Sequence, residues 1–387
     1  NGLMSMRIGY LAGNLAIVVL AGWAPHEGSA EIVTDVLNDR QWRRVDDAVD
    51  RGLRWLARRQ RRDGSFRSID IGQPGVTSLG LLAFAAHGHL PGEGVYAVEL
   101  NKALDFVLTC QQPSGLLAQR GPPGSKLSRN VVHAVGQTST YNHALAGLAL
   151  SESFAMSVGD DEQRLQVAIV RALAVTLEMQ QWSKDRRSDL GGWRYLHNFD
   201  HRDSDLSAAG WHLMFLRSAK NAGFDVPPEP IAAAVAYVRR CYRPNSGAFS
   251  MLAGDDGYRS RGMTGAGILA LAHAGLHESA EAKHAGDWLL ENGFRQYNQP
   301  LQARPFLRED RFHYATFTCS QAMYQLGGRY WRQFFPPTVE LLLANQNGDG
   351  SWEPEQAQDR QYGNAYTTAM ALLTLGAPNQ LLPVLQR

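Results

Sequence analysis

Two aspartates stand two residues apart in Asp203-Ser204-Asp205-Leu206-Ser207-Ala208, directly ahead of an apolar run headed by a hydroxyl and a small residue. A carboxyl in that place has two uses. Protonated, it is a general acid; ionised, it is an acceptor for a ligand's donors. The place also suits an aspartate with no chemistry, because a helix N-terminus stabilises a nearby anion and Asp200 to Asp205 is polar enough for a surface loop. Other residues able to grip a ligand are Tyr141 and His143, Trp193 and Tyr195, Phe312, His313 and Tyr314, and Tyr362 and Tyr366. They bring rings for stacking, imidazoles for proton transfer and phenols for hydrogen bonding. The plain alternative is that these rings fill the middle of the fold.

A repeat positions them. Arg51-Gly52-Leu53-Arg54-Trp55-Leu56, Gln60 and Asp63-Gly64-Ser65-Phe66 near one end are echoed by Leu341-Leu342-Leu343, Gln346 and Asp349-Gly350-Ser351-Trp352 near the other. Degenerate copies lead to Gln111 and Gly115-Leu116, to Gln180 and Gly192-Trp193, and to Cys241 and Gly247-Ala248-Phe249; a fifth, Trp288 to Asn292, has lost the motif. The anchors recur roughly every 50 to 70 residues, which suits a helical hairpin with variable loops. Between anchors a hydroxyl residue opens each apolar run, at Thr77, Ser207, Thr264, Thr316 and Thr367, with His143 as the deviant copy. These hydroxyls read as N-caps. The small residues three places on, such as Gly80, Gly210 and Gly267, read as sites of close helix approach. Six inner helices are therefore expected near those positions. Six outer helices with one charged side, such as that bearing Arg51, Arg54, Arg58 and Arg59, should end near the anchors. Joined alternately they make an all-α fold, a closed α/α toroid (α6/α6 barrel) of six helical-hairpin repeats.

Composition agrees with one such domain. Of 387 residues 44% are apolar, and no internal stretch reads as an interdomain linker. A formal charge of +1 gives no case for nucleic-acid binding. Arg7, the apolar run Ile8 to Trp23 and the triplet Gly28-Ser29-Ala30 follow the order of a secretory signal peptide, expected over residues 1–30. That leaves residues 31–387 as a single toroid domain, exported to the periplasm or beyond.

Arg51-Gly52, Trp55-Leu56, Gln60 and Gly64-x-Phe66 resemble the QW-type repeat of the squalene cyclase and protein prenyltransferase superfamily, and the resemblance runs roughly from residue 45 to 380. It implies a toroid in which the outer-helix Gln and the turn aromatics lock neighbouring hairpins while inner-helix N-termini face a central cavity. The prenyltransferase branch holds zinc with an Asp-x-Cys pair and a distant His. Here Cys110, Cys241 and Cys319 are preceded two places back by Leu108, Arg239 and Phe317, so neither zinc nor another cofactor is expected. The cyclase branch draws its acid from Asp-x-Asp-Asp-Thr. Asp203 and Asp205 match the first two acids, Leu206 replaces the third and Ser207 stands for Thr.

The site residues expected on these grounds are Asp203 and Asp205 as acids, with His143, Tyr141, Trp193, Tyr195, His313, Tyr314 and Tyr366 as ligand contacts at the inner-helix N-termini. The expected function is an exported toroid that binds an apolar, isoprenoid-type molecule or a glycan without zinc chemistry. The alternative is an enzyme, either a reduced terpenoid cyclase using Asp205 or a polysaccharide-cleaving toroid using Asp203 with a basic partner such as Arg194. A wholly apolar cavity favours isoprenoids, and carboxylates opposite arginine favour sugars.

Overall fold

The computed structural model describes residues 36–387 except 123, 156–159, 199–200, 256–258, 298–310 and 355–358. The expected signal peptide lies outside the described residues. Among the described residues the regular elements are helices: α1 (Asp39–Arg58), α2 (Gly75–Ala85), α3 (Ala97–Thr109), α4 (His133–Phe154), α5 (Asp160–Gln181), α6 (Leu206–Asn221), α7 (Pro228–Cys241), α8 (Arg261–His273), α9 (Ala280–Glu291), α10 (Phe312–Leu326), α11 (Gly328–Ala344) and α12 (Asn364–Leu375). None of these helices is long and apolar enough to cross a membrane.

Burial divides them into two sets. Odd-numbered helices bury a stripe, as α1 does through Val45, Ala48, Val49, Gly52, Leu53 and Leu56. Even-numbered helices are buried nearly all round; in α10 every residue from Phe312 to Leu326 is buried. A helix covered on every side must be the inner one of a pair. Each inner helix packs on the next, from α2 to α12, and α12 packs back on α2, so the inner ring is closed.

The Gln-turn motif supplies the lock. Gln60 Nε2 donates to Glu99 O of α3 (2.7 Å), Gln111 Nε2 to Ala168 O of α5 (2.8 Å), and Gln180 Nε2 to Pro230 O of α7 (2.9 Å). Each amide also donates to a carbonyl in its own turn, at Gly64, Gly115 and Gly191. The glycine is required twice over. At Gly350, φ is +98° and an added Cβ would lie 2.5 Å from the Arg51 carbonyl oxygen. That conformation and that approach both exclude a side chain.

Three expectations need correction. The expected hydroxyl residues lie inside their helices and none accepts as an N-cap: Thr77 Oγ1 takes the Phe66 amide (3.0 Å) and Thr264 Oγ1 the Phe249 amide (3.1 Å), whereas Ser207 donates to Asp205 Oδ1, Thr316 to His313 O and Thr367 to Trp352 O, and it is the next residue, Thr368, that takes the Trp352 amide (3.1 Å). Among the described inner helices the side-chain N-caps are Asp205 on α6 and Ser260 on α8, and among the outer ones Asn38 on α1 and Ser279 on α9. Likewise Gly267 makes room for the Phe249 ring, 2.5 Å from where its Cβ would be. His143 does not begin a helix, since α4 starts at His133 behind Val132, which offers no capping bond.

Candidate functional site

The N-terminal halves of the inner helices enclose a cavity of about 580 Å³. Its aromatic wall is Tyr141 of α4, Tyr195, Trp211 of α6, Tyr314 of α10, Tyr362 and Tyr366 of α12. Aliphatic surface comes from Val76, Leu79, Leu145, Met263 and Met370, and polar surface from residues including Asp255, Arg311 and Asp359. Arg311 and Asp359 form an ion pair, with the carboxylate buried. Trp211 is held flat against Phe317, at 5.6 Å between centroids and 5° between planes.

Asp205 stands behind this wall, fully buried, with Ser207 and Tyr141 between it and the cavity. Its Oδ1 accepts from the Ala208 amide (2.7 Å) and from Ser207 Oγ (2.8 Å), while Oδ2 is buried with no hydrogen-bond partner. Tyr141 Oη lies 2.7 Å from Ser207 Oγ. Because Ser207 gives its proton to Asp205, Tyr141 is the donor in that contact, which leaves its oxygen available as an acceptor. Burial first, and the Asp205 charge second, raise the Tyr141, Tyr195 and Tyr314 phenols above their ordinary value, so all three stay protonated.

Asp203 does other work. Its carboxylate takes Arg129 (2.7 Å) and the Asp185 amide (2.8 Å), and its own amide donates to Asp189 Oδ2 (2.7 Å). Burial pushes this carboxyl up, and the Asp185 amide together with Arg129 outweighs burial and holds it below the usual carboxylate range. These bonds clamp the loops around the start of α6, and Asp203 is not part of the cavity wall. Arg194, expected as its partner, lies over the Tyr195 ring at 4.9 Å.

Of the expected ligand contacts, Tyr141, Tyr195, Tyr314 and Tyr366 line the cavity and three others do not. His143 Nδ1 accepts the Leu117 amide (3.1 Å), and its Nε2 faces Ala172 O (3.2 Å) and Thr176 Oγ1 (3.1 Å) of α5. Trp193 donates to Thr176 O (2.8 Å), as Trp352 does to Leu342 O (2.8 Å), so it is a turn aromatic of the repeat. It stacks on His212 at 5.1 Å and 6°. His313 Nε2 meets Tyr297 Oη (3.0 Å) and Glu353 O (3.2 Å). The reason is helical geometry. Successive residues point about 100° apart, so Tyr314 facing inward turns His313 aside, and Tyr141 facing inward sends His143 to the outer layer. Trp211, Arg311 and Asp359 went unread in the sequence. Trp211 was findable, since it follows Ser207 by one helical turn, as Leu145 follows Tyr141 and Met370 follows Tyr366.

No protein-family model and no curated sequence matches the chain. Solved structures of the type II terpene cyclase MstE from Scytonema do match it in fold. An Asp→Ala variant in complex with its product, merosterolic acid A, aligns with a TM-score of 0.51 at 14% identity, covering 89% of this chain and 100% of that one. An Asp→Asn variant in complex with the substrate geranylgeranyl dihydroxybenzoate aligns at 0.51 and 13% identity, covering 90% and 100%. The fold is thus an α/α toroid like that of the terpene cyclase MstE.

Proposed function

We propose that this toroid binds an isoprenoid-type molecule in its central cavity, apolar chain inward and a hydroxyl-bearing end against Tyr141, and that it does so as an exported protein. The observation that carries the reading is the wall of six aromatic rings around about 580 Å³, a volume within the usual range of small-molecule sites. Such rings offer apolar area at low conformational cost. The complexes of MstE with an isoprenoid substrate and product lend analogy at the level of fold. The mixed sign is the Arg311–Asp359 pair, which by the criterion above would favour a sugar. Its two charges, however, are engaged with each other. The Asp203 and Arg194 pair that a polysaccharide-cleaving mechanism would use is absent from the wall.

A cyclase is the second reading, favoured by the unpartnered Oδ2 of buried Asp205. Ranked against it is the direction of the hydrogen bonds. Both neighbours donate to Asp205, and Ser207 and Tyr141 separate it from any bound alkene. Thermal shift with geranylgeraniol and with a neutral oligosaccharide decides the ligand class. At 100 times Kd the true ligand stabilises by about 2.7 kcal/mol. Stabilisation by the oligosaccharide alone would overturn the reading, and release of a cyclised product from an isoprenoid would promote the cyclase.

A further inference from the structure

Glu152, near the C-terminal end of α4, is 2% exposed. Its Oε1 accepts from Ser218 Oγ of α6, and its Oε2 is buried with no hydrogen-bond partner. The last residues of the chain lie over it. After α12, residues 377–387 cross the C-terminal ends of the inner helices. Asn379 Nδ2 donates to Ala86 O beside α2 (3.0 Å), Asn221 Nδ2 of α6 to Pro383 O (3.5 Å), and Gln325 Nε2 of α10 to Leu385 O (2.6 Å). Leu382, Val384 and Leu385 are buried there, and the Val384 amide lies against the Glu152 carboxyl. Glu152 makes no ion pair with the charged or titratable side chains of the neighbouring elements: His87 and His89 after α2, Arg164 of α5, Arg217 and Lys220 of α6, or Arg387 of the segment itself.

An ionised carboxylate in this position has only two neutral donors, the Ser218 hydroxyl and the Val384 amide, and no cation, an arrangement that favours letting water in. We propose that residues 377–387 are a stopper over the end of the ring opposite the cavity, released when the Glu152 carboxyl beneath them ionises. Burial raises this carboxyl to about 7, and the Ser218 hydroxyl and Val384 amide offset that only in part. A raised acid favours the closed form fully below its ordinary value of 4.5, and the advantage fades as pH rises through about 7. Release would uncover the apolar seat of Leu382, Val384 and Leu385 and give a long chain a second way into the ring.

Hydrogen exchange of the C-terminal peptide, corrected for intrinsic rates, tests this at pH about 5 and about 8, where protection should fall roughly 100-fold in the wild type. Peptides of α10 should remain protected at both values. In Glu152→Gln the C-terminal peptide should stay protected throughout. Ser218→Ala removes a donor that stabilises the carboxylate, so its loss of protection should begin at the same pH, continue to higher pH and be larger at pH about 8; this variant decides the matter if Glu152→Gln does not fold. Equal wild-type protection at the two pH values, an unchanged pH dependence in Glu152→Gln, or loss in step with α10 would each overturn the stopper.

Discussion

Gln346, at the end of the last outer helix, donates through Nε2 to the carbonyl of Ala48 in the first (2.8 Å), so one side-chain amide closes a ring across 298 residues of sequence. The same turn seats Trp352, fully buried, with its indole on Leu342 O and its backbone amide on Thr368. Trp352→Ala should destabilise the protein by about 3 to 5 kcal/mol and Gln346→Ala by about 1 kcal/mol, as for a large buried ring and for a part-buried hydrogen bond. Urea unfolding measures both. An unchanged midpoint for Trp352→Ala would mean that closure does not depend on this contact.

The glycine of the turn gives a matched pair. Gly350 and Gly254 both have positive φ, +98° and +78°, but only at Gly350 would a Cβ collide, 2.5 Å from Arg51 O, while Gly254 has nothing within 4 Å. Gly350→Ala should therefore cost more than about 2 kcal/mol and Gly254→Ala about 1 kcal/mol, the strain alone. Equal losses would show that backbone strain, and not the approach of α1, makes the turn glycine necessary.

Why the architecture was legible follows from those contacts. A turn that needs left-handed backbone, a close carbonyl and an aromatic plug writes Gly-x-aromatic wherever it recurs, and the residues at Gln60, Gln111, Gln180 and Gln346 are constrained by the same lock. The start of α4 was hidden because a helix buried from Gly136 to Ser153 shows neither an amphipathic period nor a side-chain cap. The cavity was half legible. Its tyrosines stood out by type, but which of two adjacent residues faces inward depends on helix phase, and the phase of a helix buried all round is not written in its hydrophobic pattern. Arg311 and Asp359 come from segments joined only by the fold.

Asp205 and Asp203 should separate function from framework. Asn caps a helix about as well as Asp, so Asp205→Asn should change stability by less than about 1 kcal/mol. It removes the charge that holds Ser207 and, through it, Tyr141, and should weaken binding of geranylgeraniol roughly tenfold. Asp203→Asn breaks the partly buried pair with Arg129 and should cost about 2 kcal/mol of stability with little effect on affinity. Calorimetric titration beside thermal melts reads both. An affinity loss confined to Asp203→Asn would reverse the assignment.

Acid should unfold this protein through its buried imidazoles. Burial lowers His87, His143, His273 and His313 from 6.5 to about 4. A base lowered by folding contributes stability that is complete above 6.5 and lost as pH falls toward 4, at most roughly 3 kcal/mol for each. Melting temperature should thus fall steeply below pH about 6, whatever the behaviour of the C-terminal segment at higher pH. His273 isolates the effect because its Nε2 is buried without a partner, so replacing it sacrifices no bond at that nitrogen. His273→Leu should match or exceed wild-type stability at neutral pH and lose less of it on acidification, by about one imidazole's share. An acid limb identical to wild type in His273→Leu would exclude this histidine from the acid response and direct the search to the other three.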